Sequence, residues 1–186
     1  MLTDVPSDGN CGYHCLIQLL ATMGRLEIGS GLTTVTSFRQ ELHAWVLSNK
    51  ENYGRMSFFR QLTGDMNSKK RKISTDGLQE RDRILQKIFC PGKTYESGCA
   101  MDEWLDTGLI VPLVMMKYEV SKAFVFEVAE GVENTIVIEN NKTNFCLDRV
   151  IGLVLPDCKT HFATMYLVHH CGCHFMYIHP PPEINN

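Results

Sequence analysis

No apolar run in this sequence is long enough to cross a bilayer. The longest, Leu109 to Met116, is interrupted by Pro112, whereas a spanning helix needs about 20 residues. The chain is therefore expected to be soluble, with no membrane partner. Charge of one sign is also lacking: the net charge is −3 with 21% charged residues, so no broad basic field supports a nucleic-acid partner, and a protein surface is the better expectation. Missing too is any Cys-x-x-Cys pair, although there are 8 cysteines and 7 histidines. No secretory leader is expected before the turn at Asp4 to Asn10, so the cysteines are read as thiols of a reducing, cytoplasmic compartment rather than a disulfide framework. At 186 residues one domain can bury a core without staples. It is expected to span 1–180, with Pro180-Pro181-Pro182 opening an extended tail over 181–186, and to be a monomer that needs no cofactor.

The stretch with the most chemical content is Pro6-Ser7-Asp8-Gly9-Asn10-Cys11-Gly12-Tyr13-His14-Cys15-Leu16. Turn formers fill its first half, and Leu16, Leu19, Leu20 and Met23 then recur at helical spacing. Asn10 is expected to cap the helix, so Cys11 stands in the first turn. Unpaired N–H groups and the positive dipole end favour a thiolate there. Gly9 and Gly12 are expected to let the backbone approach a reacting carbonyl. Cys15, one turn on along the apolar face, is expected to be inert.

Asp8-Gly9-Asn10-Cys11 with Tyr13 resembles the nucleophile segment of the ovarian tumour (OTU) family of cysteine proteases, most of which are deubiquitinases. A second family signature, a histidine and an aromatic entering a late strand, recurs as His174-Phe175-Met176-Tyr177-Ile178. The two motifs bracket nearly the whole chain. The resemblance implies an OTU-like, papain-type α+β fold, with N-terminal helices packed on a mainly antiparallel C-terminal sheet. It also implies a Cys11–His174 pair that removes ubiquitin or a ubiquitin-like modifier through an acyl-enzyme. Two alternatives stay open: a polyprotein-processing proteinase of the same fold, and a catalytically inactive ubiquitin-binding module.

Spacing alone leaves two candidate bases, His161 and His174, each followed by phenylalanine and each able to open a strand. The resemblance favours His174. Many family members carry Asn or Asp two residues after that histidine, where this chain has Met176, which cannot usefully accept a hydrogen bond. Asp8 matches the acid of the family motif, which implies a backbone role in the oxyanion loop together with the Cys11 amide. Asp4 is the candidate that orients the histidine. Cys158, His161, His169, His170, Cys171, Cys173, His174 and His179 crowd one stretch and could suggest zinc. Without Cys-x-x-Cys spacing, and with strand alternation sending neighbours to opposite faces, no metal site is expected.

Between the motifs, helices are expected from Thr36 or Ser37 to Asn49, from Asp76 to Phe89, and over Ser97 to Leu109, with Glu51 to Leu62 a short helix or ordered loop. Lys69-Lys70-Arg71-Lys72 is read as a solvated loop, with nuclear import as the alternative. Strands are expected over Ile110 to Met116, Ala123 to Ala129, Thr135 to Glu139, Val150 to Leu155, Phe162 to Val168 and His174 to Ile178. Helices first and strands later give the α+β class.

Overall fold

The computed structural model describes residues 1–28, 35–49, 105, 107–108, 110–141, 144–151 and 164–179. In chain order its elements are β1 (Leu2–Thr3), α1 (Cys11–Thr22), α2 (Val35–Ser48), α3 (Ile110–Lys117), β2 (Lys122–Ala129), β3 (Val132–Asn141), β4 (Asn144–Ile151), β5 (Thr164–His170) and β6 (His174–Ile178). The strands make one sheet in the order β1-β6-β5-β2-β3-β4. β2 and β5 run parallel, and every other neighbouring pair is antiparallel. The expected α+β class and mainly antiparallel sheet are what the structure has.

Strand alternation sorts the apolar residues into two layers. On the helix side, Ala123 and Val125 of β2, Ile136 and Ile138 of β3, Met165 and Leu167 of β5, and Phe175 and Tyr177 of β6 join the buried faces of the helices. The opposite face carries a smaller cluster in which Phe124 stacks on Phe126 and Tyr166, with ring centroids 6.2 and 5.7 Å away. In α1, Leu16, Leu19 and Leu20 are buried while Gln18 and Thr22 are exposed. Each buried leucine contributes about 1.5–3 kcal/mol, which ties the helix carrying Cys11 firmly to the sheet.

Three expectations need correction. The run Ile110 to Met116 is helix α3 and not a strand: its residues from Ile110 to Met115 are all buried, and a short continuous apolar run has no period that separates a buried strand from a buried helix. Pro112 is tolerated because its missing N–H belongs to the first helical turn, where no intrahelical partner exists. The strand expected at Val150 to Leu155 shares only Val150 and Ile151 with β4, which begins at Asn144, and 152–155 lie outside the described residues. Among the described residues β4 lies at one edge of the sheet. Helix α2 starts at Val35, so Thr36 and Ser37 lie inside its first turn. The segment Glu51 to Leu62, the basic run at Lys69, the Asp76 helix, most of Ser97 to Leu109, Cys158, His161 and the tail from Pro180 lie outside the described residues.

One element was not foreseen. The two residues of β1 pair with β6, Leu2 opposite Ile178 and Thr3 opposite Tyr177, and the His179 N–H donates to the Met1 carbonyl at 3.0 Å. This short edge strand fixes where Asp4 emerges.

Candidate active site

Cys11 is the first residue of α1 and is 6% exposed. Its sulfur accepts a hydrogen bond from the Phe175 N–H at 3.4 Å, so the helix start is joined to the residue that directly follows His174. The Phe175 ring stacks on His169 of β5 at 4.2 Å between centroids and 3° between planes. That stacking holds the strand entry still where it meets the thiol.

His174 opens β6 beside this junction. Its Nε2 lies 2.6 Å from Asp4 Oδ1, and its Nδ1 lies 3.4 Å from the Ser7 hydroxyl. A carboxylate only accepts, so Asp4 assigns the ring proton to Nε2, which leaves Nδ1 as the ring's acceptor, facing the Ser7 hydroxyl. Asp4 also accepts the Val5 N–H at 2.8 Å. The bond from His174 first, and that from Val5 second, hold its carboxyl below the ordinary carboxylate range. Carried one residue further, the β1–β6 register puts Asp4 beside Met176. A neighbouring strand thus supplies laterally the acid that Met176 cannot.

Asp8 does not touch His174. Its Oδ1 accepts the Asn10 N–H at 2.8 Å and its Oδ2 meets His14 Nε2 at 2.9 Å. Burial works against its charge, but the bonds from His14 and from the Asn10 amide outweigh that and keep the carboxyl below its ordinary range. The Asp8 carboxylate is thus a clamp across the loop before Cys11, with Gly9 at φ 80°, a conformation that favours glycine. Gly12 has a packing reason of its own. A Cβ there would stand 2.6 Å from Leu105 Cβ, so its bare backbone makes room for Leu105.

Asn10 occupies the N-cap position, but its side chain makes no bond to the helix N–H groups. Its Oδ1 instead accepts from Arg39 Nη1 at 3.1 Å. Arg39 is 1% exposed, and its guanidinium lies over the Tyr13 ring at 4.6 Å. Sequence reasoning missed Arg39, His14 and Ser7. For Arg39 a signal exists: it stands three and seven residues before Leu42 and Val46, on the apolar face of α2. Cys15 is fully buried, and burial, followed by the nearby Cys11 and Asp4, pushes its thiol far above the ordinary range. Among the described residues no group of three or more His, Cys, Asp or Glu side chains could hold a metal ion, and no helix is long and apolar enough to cross a membrane.

No family model matches the sequence, and no curated protein matches it. Solved structures do. The chain is similar to an OTU deubiquitinase from Wolbachia pipientis wMel bound to ubiquitin, with a TM-score of 0.51 at 14% identity over 97% of this chain and 95% of that one. The Hazara virus OTU bound to ubiquitin aligns with a TM-score of 0.47 at 13% identity over 98% of this chain and 82% of that one. The fold is OTU-like.

Proposed function

We propose that the protein is an OTU-type cysteine isopeptidase that removes ubiquitin, or a ubiquitin-like modifier, from its conjugates. The observation that carries this reading is the meeting of Asp4, His174 and the Cys11 junction on a fold shared with a ubiquitin-bound deubiquitinase. His174 takes the Cys11 proton through Nδ1, and the thiolate attacks the carbonyl at the modifier's C-terminus. Backbone N–H groups at the start of α1 and in the Asp8 loop stabilise the tetrahedral oxyanion. His174 then returns the proton to the leaving amine. Water, deprotonated by the same histidine, releases the acyl group and regenerates the thiol. Asp4 holds the imidazole in the required tautomer throughout. Its contact with His174 also supports an active enzyme over an inactive binding module, since the acid missing at position 176 was the reason to consider one. A ubiquitin probe bearing a C-terminal electrophile tests the reading. Wild-type protein should form a covalent adduct that Cys11→Ala abolishes. No adduct from folded wild-type protein would overturn it.

A further inference from the structure

Alternate N–H groups along a strand point to the same side. In β6 the His179 N–H reaches the Met1 carbonyl at 3.0 Å, so those of Tyr177 and Phe175 are directed to the β1 side as well. The register of Leu2 with Ile178 and Thr3 with Tyr177, carried two residues on, would set Val5 opposite Phe175. But β1 ends at Thr3, and Val5 turns its own N–H onto Asp4 at 2.8 Å. The Phe175 N–H, one step past the end of β1, is taken by the Cys11 sulfur at 3.4 Å. A side chain of α1 thus stands where the ladder would have continued. The contact is buried, and the Phe175 ring is stacked on His169, so the donor is held in place and shielded from water. The nitrogens of His174 face Asp4 and Ser7. In the resting protein the amide is the group already on the sulfur.

We propose that the Phe175 N–H is a catalytic group: it holds the Cys11 thiolate, first when the thiol gives up its proton and again when the sulfur leaves the acyl carbonyl. The inference rests on the hydrolase reading and adds to it a backbone donor that touches the reacting atom. A hydrogen bond to a charged acceptor is about twice as strong as one to a neutral acceptor. The bond therefore tightens as charge gathers on the sulfur and slackens once the sulfur is acylated. A donor fixed by strand pairing needs no reorganisation to do this.

The donor can be removed without touching the side chain. A thioester of residues 1–172, ending at Gly172, is ligated through Cys173 to a synthetic peptide of residues 173–186 with phenyllactic acid at position 175, so that an ester oxygen replaces the N–H. The same ligation with phenylalanine gives the control. Alkylation by iodoacetamide, read at Cys11 by peptide mass, should be about 10-fold slower in the ester at neutral pH, with the midpoint of its pH profile raised by about one unit. Above that midpoint the sulfur is thiolate in both proteins, and their rates should agree within about threefold. Turnover of a ubiquitin C-terminal fluorogenic substrate should fall about 10-fold in kcat.

A bond that serves packing alone would lower the thermal midpoint of the ester and leave the pH profile where it was. Folded ester protein that behaves so overturns the inference. Should the ester fail to fold, the amide resonance of Phe175 in the wild-type protein reads the same contact. It should shift as Cys11 loses its proton, at the midpoint of the alkylation profile, and that shift should vanish in Cys11→Ala. A resonance that titrates alike in both proteins overturns the inference. An unmoved profile in an enzyme that still turns over removes only the role of the amide. Wild-type protein that hydrolyses nothing and forms no adduct with the ubiquitin probe overturns the hydrolase reading and this role with it.

Discussion

Asp4 meets His174 across 170 positions of sequence, at 2.6 Å, from a strand that contributes only two residues to the sheet. The β1–β6 pairing sets where Asp4 leaves the sheet. Any slip in the pairing of Leu2 with Ile178 would carry the carboxylate away from the imidazole, because a one-residue shift sends a side chain to the other face.

Replacing Asp4 with alanine should therefore lower turnover by about 10²-fold while leaving the fold intact. Placing Asn at position 176 in that background, through Met176→Asn, should restore part of the loss. Steady-state hydrolysis of a ubiquitin C-terminal fluorogenic substrate reads both. Unchanged turnover in Asp4→Ala would mean that the contact does not serve the chemistry.

Cys11 and His174 should act as one unit. Each alanine variant is expected to lose several orders of magnitude, and the double variant should be little worse than either. His161→Ala should retain most of the activity, and Cys15→Ala should still label at Cys11, since Cys15 is fully buried. A dead His161→Ala beside an active His174→Ala would move the base one hairpin earlier.

How much of this was legible depended on how local each signal was. The Cys11 helix start is written in adjacent residues, turn formers and then a three-and-four apolar period, and it was read correctly. His174 at the head of β6 follows from an equally local change of pattern. Asp4 could be named as a candidate, but its partner is set by the register of a two-residue strand that no propensity announces. α3 was misread because a uniformly apolar segment carries no period. Arg39 was passed over because a charged residue on a helix is ordinarily solvated, and only its position in line with Leu42 and Val46 argued otherwise.

Acid should weaken the site loop before it unfolds the core. Asp4 and Asp8 both have carboxyls held below the ordinary value of 3.8. A depressed carboxyl adds stability that is fully present above the unfolded value and is lost as pH falls through the folded one. The contribution of Asp8 should thus be constant above about pH 5 and fade below about pH 4. Asp8→Asn should flatten the fall in thermal midpoint over that acidic window. The same steepness in wild type and variant would show that the Asp8 bonds to His14 and Asn10 do not couple to folding.

The contact between Gly12 and Leu105 gives the sharpest packing test, because it sits directly behind the nucleophile. A Cβ at position 12 would lie 2.6 Å from both Cβ and Cδ2 of Leu105. The first of these is anchored to the backbone and cannot rotate away, so Gly12→Ala forces a backbone shift and should cost about 1–3 kcal/mol. Leu105 is 7% exposed, and Leu105→Ala alone should cost about 2–5 kcal/mol through the cavity it leaves. Its Cβ remains in that variant, so the Cδ2 and Cγ contacts are relieved while the Cβ clash persists. The double variant should therefore recover part, not all, of the sum, with a coupling of about 0.5–3 kcal/mol. Urea unfolding of the four proteins measures the cycle. Strict additivity would mean that α1 and the Leu105 segment do not press on one another, and the close approach that explains glycine at position 12 would have to be given up.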